Sequence, residues 1–307
     1  MHASEAAPFS FLGLSPAPIF AVVGIVLGQL FFMRTRARKR QGRVPLVDLD
    51  VLRNPTERAA VYAMFVIVAM EAAINFTVPT YIQVVQGRTP FDTSLAMMPF
   101  NLTVFVTATL IVRFYKRFQP RTIALFAFGL TTVALLWLAL VATNNWGTLP
   151  TIVGLIAFGI GQGALVTLVF NVLVTAVPKE LAGDVGSIRG TTQNLASAVG
   201  TAVMGAVLVT TLTFGVTQSV ERHPDLPAEL VEQVDLGNVN FVSNDDLRSV
   251  LAGTDASESQ ITAAVELHEG ERLRTLKLGF LLLAGVSAIA ALPASRLPRY
   301  RPEEIPE

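Results

Sequence analysis

The chain has 307 residues, 52% of them hydrophobic and 15% charged, and its mean hydropathy of +0.54 exceeds what a soluble domain of this length needs for its core. Lysine plus arginine and aspartate plus glutamate both total 23, so net charge gives no reason to expect nucleic acid or an acidic partner. The absence of cysteine excludes disulfides, thiolate metal sites and cysteine nucleophiles together.

The first predicted helix, 17–33, follows a stretch with no basic leader and no clear cleavage site, which is not read as a signal peptide. It has enough apolar residues, about 17–25, to cross a ~30 Å hydrocarbon core. The run "RTRARKRQGR" (34–43) follows at once. Such a run can bind nucleic acid or anionic lipid, but directly after an apolar helix it is most simply an anchor at the inner leaflet.

The second predicted helix, 59–84, contains "VIVAMEAAINFTVPTYIQ" (67–84), with Glu71 and Asn75 near its middle. A charged side chain at the bilayer centre costs on the order of 2.5–3.5 kcal/mol on insertion scales, so Glu71 should face protein or water. Asn75 lies one turn on and Pro79 one turn beyond, along a single inclined stripe. The Pro79 ring displaces the carbonyl of Asn75 and supplies no N–H to it, which predicts a bend in the outer half of the helix. A carboxylate beside a free acceptor suits a solute or proton site at membrane depth. It equally suits a protonated side chain hydrogen-bonded to a neighbouring helix, a packing device without transport chemistry.

Further spans are predicted over 94–114, which carries Asn101, and over 122–142, 149–176, 188–214 and 275–293. In the helix at 149–176, Gly154, Gly159, Gly161 and Gly163 have no strand before them and no Lys-Ser/Thr after them, so they read as close helix packing rather than a phosphate loop. Gln162 and Asn171 on the same helix point to opposite sides, and at least one of them is expected to bond a neighbouring helix. The helix at 188–214 puts Asn194, Ser197 and Thr201 on one face, next to Gln193. The segment 215–274 is polar and holds twelve acidic residues. Within it, 243–253 reads as a short surface helix capped by Ser243 or Asn244, and the stretch from 257 as a helix leading into the last span. The segment as a whole reads as a solvated cap. His2, His223 and His268 are too scattered for a metal site, and neither a cofactor nor enzyme chemistry is expected.

The fold class is therefore all-α, a polytopic membrane bundle of about seven helices, with none of the alternation of a β-barrel. It divides into 1–58, an outer stub, one helix and a basic connector, and 59–307, a six-helix unit with an acidic outer segment at 215–274. With the N-terminus outside, the inner segments hold 17 of the 23 basic residues, which predicts a cytoplasmic C-terminus.

"RARKRQGRVPLVDLDVLRNPTERAA" resembles the cytoplasmic connector of the major facilitator superfamily's fourteen-helix drug:proton antiporter branch, ahead of the first helix of the C-terminal half. "YIQVVQGRTPFDTSLAMMP" is similar to its first outer turn, and the glycine-rich stretch from Gly154 to Leu208 resembles its fourth helix, inner loop and fifth helix. Where that family has a loop like Gly-Arg-Leu-Ala-Asp-Arg-Phe-Gly-Pro-Arg, this chain reads "VRFYKRFQPR" (112–121). Arg113, Arg117, Pro120 and Arg121 match, whereas Val112, Lys116 and Gln119 replace the two glycines and the aspartate, removing the acidic residue from the loop.

The resemblance implies the C-terminal half of a proton-coupled exporter of small amphipathic compounds in the plasma membrane, working with an N-terminal half or a second copy of the chain. In that fold the first, second, fourth and fifth helices of a half line the central cavity. The residues so placed are Glu71, Asn75, Asn101, Gln162, Gln193 and Asn194, while 122–142 and 275–293 hold no intramembrane amide or carboxylate. A non-transporting membrane scaffold or regulatory subunit is the competing class.

Overall fold

The computed structural model describes residues 17–43, 55–115, 117–175, 182–222, 244–253 and 257–297. The chain separates into two compact units, 1–51 and 52–307. The first contains helix α1 (Ala17–Arg40), whose apolar side chains, Phe20, Ile25 and Leu27 among them, are exposed as lipid contact requires. The basic run continues α1 as helix through Arg40, because Arg and Lys are good helix formers and the end of an apolar stretch does not by itself stop a helix.

The second unit contains α2 (Pro55–Thr80), a π-turn (Tyr81–Val85), α3 (Pro90–Tyr115), α4 (Pro120–Val141), α5 (Leu149–Thr175), α6 (Ala182–Arg222), α7 (Asn244–Ala252) and α8 (Glu258–Ala294). Across both units seven helices are long and apolar enough to cross a membrane, in line with the sequence reading, and among the described residues there is no strand. α6 and α8 run past the apolar stretches, which mark only the part in contact with hydrocarbon. Ser243 and the segment 223–243 lie outside the described residues, as do Lys116, Lys179 and the residues 298–307.

Local chemistry sets the ends of these elements. At the start of α3, Thr89 and Asp92 cap each other, the Asp92 N–H donating to Thr89 Oγ1 at 3.2 Å and the Thr89 N–H to Asp92 Oδ2 at 3.2 Å, with Pro90 in the first turn. Ser257 and Gln260 form the same reciprocal box at the start of α8. After Pro79 the backbone changes register, and the Gln86 N–H reaches the Tyr81 carbonyl at 3.3 Å, five residues back. Gly87, at φ 61°, then turns the chain toward α3 in a conformation that glycine adopts without strain.

Glycines set how closely the helices approach. A Cβ at Gly200 of α6 would lie 2.7 Å from the Cα of Ala69 on α2, so the two backbones touch there. On α5, Gly159 and Gly163 lie against Phe100, Thr103, Val104 and Thr107 of α3, while Gly154 and Gly161 lie against Leu138 and Thr131 of α4. The expected packing role of these glycines is thus visible residue by residue. α4 and α8 pack together behind α5, joined by a bond from Ser287 Oγ to the Phe128 carbonyl at 3.2 Å. A core of Met70, Ile74, Val78, Phe100, Leu135, Phe158 and Phe280, among others, fills the space between the helices.

Candidate functional site

α2 carries the polar residues singled out in the sequence. Glu71 is half-buried at mid-helix, and among the described residues no ion pair or side-chain hydrogen bond engages its carboxyl. Asn75, one turn outward, is exposed.

Gln162 of α5 is 1% exposed and donates from Nε2 to the Ile67 carbonyl at 3.4 Å. It is therefore an interhelical tie as well as a site candidate, and Asn171 bonds the carbonyl of Thr167 on its own helix at 2.9 Å. The Oε1 of Gln162 is buried and has no partner among the described residues. Because Ile67 precedes Glu71 by one turn, this acceptor sits one turn inward of the carboxylate.

Helix contacts give the depth of the other candidates. The Phe100 and Phe158 rings stack at 5.3 Å, and Phe158 lies one turn outward of Gln162 on a helix antiparallel to α2. Asn101 is therefore at about the level of residue 70, close in depth to Glu71 at a rise of ~1.5 Å per residue. It is exposed, and its Nδ2 donates to the Met97 carbonyl at 3.2 Å. α6 runs parallel to α2, with Gly200 beside Ala69 and Gly205 beside Phe76. Gln193 and Asn194, both exposed, consequently lie about two turns inward of Glu71, roughly 12 Å away along the axis. Exposed mid-span amides and a half-exposed carboxylate thus occur on α2, α3 and α6, whereas α4 and α8 present apolar surface such as Phe126, Val133, Leu140, Ile289 and Leu292.

A second polar group was not foreseen. Tyr81, Asn144, Asn244, Glu269 and Arg272 bring together the π-turn after α2, the start of α7, α8 and the α4–α5 turn. Asn244 Oδ1 accepts from Arg272 Nη1 at 3.1 Å, and Arg272 is 2% exposed. Leu247 and Leu251 of α7 form a small core with Ile261 and Val265 of α8. This part of the acidic segment is therefore packed structure rather than solvated cap. The sequence signal was the leucine pair at i, i+4 in 243–253, repeated by Ile261 and Val265.

The sequence profile of the Major Facilitator Superfamily matches residues 5–201, more than half of the chain. The chain belongs to the major facilitator superfamily. It is similar to the multidrug resistance protein Stp of Mycobacterium tuberculosis, 27% identical over 191 residues, covering 62% of this chain and 35% of that protein. It is 24% identical over 193 residues to the probable actinorhodin transporter of Streptomyces coelicolor, covering 60% of this chain and 32% of that protein. The tetracenomycin C resistance and export protein of Streptomyces glaucescens is 25% identical over 197 residues, 64% of this chain and 35% of that protein. The chain thus spans about a third of the length of these relatives. Membership makes it an integral membrane protein of a transporter family rather than an enzyme family.

Proposed function

We propose that this chain is the C-terminal half of a proton-coupled exporter of small amphipathic compounds in the inner membrane, with its N-terminus outside and C-terminus cytoplasmic. The observation that carries the reading is Glu71, a carboxylate at mid-span, half-exposed and without an ion pair among the described residues. A charge is retained at that depth only where protein or water receives it. Similarity to a multidrug resistance protein, a probable actinorhodin transporter and a tetracenomycin C resistance and export protein supports the proposed substrate class. In this mechanism Glu71 exchanges a proton for substrate as the two halves rock about the face bearing Asn75, Asn101, Gln193 and Asn194. Gln162, buried one turn inward, holds α5 to α2 and offers an acceptor toward that region. The other half of the cavity comes from an N-terminal half or from a second copy of the chain.

The test is Glu71→Gln in the complete transporter. The amide keeps the size and hydrogen bonding of the side chain, so expression should hold while proton-driven efflux from everted vesicles is lost or uncoupled. Unchanged efflux with unchanged pH dependence would leave Glu71 as packing only.

A further inference from the structure

α2 loses regular support at its outer end. Pro79 has no N–H to donate to the Asn75 carbonyl, and Tyr81–Val85 form a π-turn whose closing bond, Gln86 N–H to Tyr81 O, is 3.3 Å long. Left to itself, such a segment opens readily. Yet Tyr81 and Ile82, within that turn, are only 6% and 1% exposed. Something outside the helix holds them in place.

The Tyr81 hydroxyl donates to Asn144 Oδ1, and Asn144 Nδ2 donates to Glu269 Oε1. Gln86 Nε2 donates to the Asn144 backbone carbonyl, and Trp146 meets the Tyr81 ring edge-on at 6.3 Å. The turn carrying Asn144 is itself pinned, with the Gly147 N–H bonded to Asn145 Oδ1 at 3.0 Å. Asn144 can satisfy both neighbours in only one orientation. A flipped amide would aim its oxygen at the carboxylate and lose that bond, so the chain of bonds forms or breaks as a unit.

Glu269 is shared. Its second oxygen accepts from Asn244 of α7 at 3.5 Å, so the same carboxylate joins α2 and α7 to α8. A polar recess of about 290 Å³, lined by residues including Gln86, Arg88, Asn144, Asp245 and Glu269, opens beside these bonds. Water in that recess can reach Gln86, Asn144 and Glu269, which line it, so these groups can exchange partners without being stranded.

We propose that Tyr81, Asn144 and Glu269 form a latch that fastens the outer end of α2 to the α4–α5 turn and α8, and whose release frees α2 to bend at Pro79. The latch stands on these hydrogen bonds and does not depend on the export reading.

Amide hydrogen exchange on the full chain in lipid nanodiscs tests it. In the unmodified chain, the backbone over 79–88 should exchange as slowly as 67–78, despite the proline and the π-turn. Tyr81→Phe, which removes a neutral hydrogen bond, and Glu269→Met, which removes a charge-assisted one, should each speed exchange in 79–88, by about threefold and about tenfold respectively, while leaving 67–78 unchanged. The double variant should be no faster than the faster single, because both break one unit. Glu266→Gln, on the exposed side of α8, should change nothing. Fast exchange over 79–88 in the unmodified chain, or single variants that leave it unchanged, would overturn the latch. So would effects that multiply in the double variant or spread evenly over the bundle.

Discussion

Gly200→Ala measures how tightly α2 and α6 are joined beside Glu71. The added Cβ would meet the Ala69 carbonyl oxygen at 2.2 Å and its Cα at 2.7 Å, both backbone atoms that no rotamer change can move aside. Restoring an ordinary carbon–oxygen separation of ~3.2 Å requires the helices to part by about 1 Å at that point. A gap of that size along the rest of the interface forfeits a quarter to a half of each contact's attraction, and overpacking of this kind costs about 1–3 kcal/mol. The alanine recovers up to ~1 kcal/mol through helix propensity, leaving a net loss of about 0–2 kcal/mol, against a net gain of up to ~1 kcal/mol where a Cβ meets open space. Two other glycines on α6 provide scale. A Cβ at Gly205 would meet the Phe76 ring at 3.6 Å, an ordinary contact, and one at Gly190 would meet nothing within 4 Å. Equilibrium unfolding of the full chain in mixed micelles should therefore rank Gly200→Ala well below Gly205→Ala, with Gly190→Ala neutral or slightly stabilised. If Gly200→Ala matched Gly190→Ala, the backbone contact between α2 and α6 would be refuted.

Because the chain has no cysteine, single cysteines at Gln41 and Asp245 test topology directly. The first should resist an impermeant thiol reagent in intact cells and the second should react; the reverse labelling would invert the proposed orientation. Leu247→Asp should detach α7 by removing its small core with Leu251, Ile261 and Val265, at about 2–3 kcal/mol, seen as new protease cleavage over 244–253 while the spans stay protected. Cleavage unchanged from the unmodified chain would show that α7 is held by its polar contacts. Reconstituted alone under an imposed pH gradient, the chain should show no substrate flux, and an N-terminal half should restore it; flux by a demonstrated monomer would refute the two-half mechanism.

The bundle was legible because apolar length alone specifies a spanning helix, and each of the seven predicted spans overlaps a structural helix, the one at 59–84 running on into the π-turn. The glycines of α5 were legible for a similar reason, since small residues have few uses in a span other than close approach. The extent of α1, α6 and α8 was not, because hydropathy reports what touches lipid and not where backbone bonding ends. Glu71 and Asn75 stood out by their cost in hydrocarbon. Gln162 was read by residue type, but only the packing of α5 on α2 reveals that it bonds the Ile67 carbonyl. The outer latch was hidden for a different reason. Tyr81, Asn144 and Glu269 are spread over 189 positions in segments where polar residues are unremarkable, and only the fold brings them together.

α2 is fastened in two chemically different ways on either side of its weak point. Its inner part is held by backbone contact with Gly200 at Ala69 and by Gln162 on the Ile67 carbonyl, in an apolar surrounding where neither has a substitute partner. Its other end is held by side-chain bonds, of which those made by Gln86, Asn144 and Glu269 border a polar recess open to water. Between the two lie Glu71, Asn75 and Pro79. A force on the helix is therefore resisted inward of Glu71 and yields outward of Pro79, where the ladder is already interrupted. Under the proposed latch, bending there moves Tyr81 and Ile82, while Glu71 and Asn75 stay with the part of α2 that packs on α5 and α6.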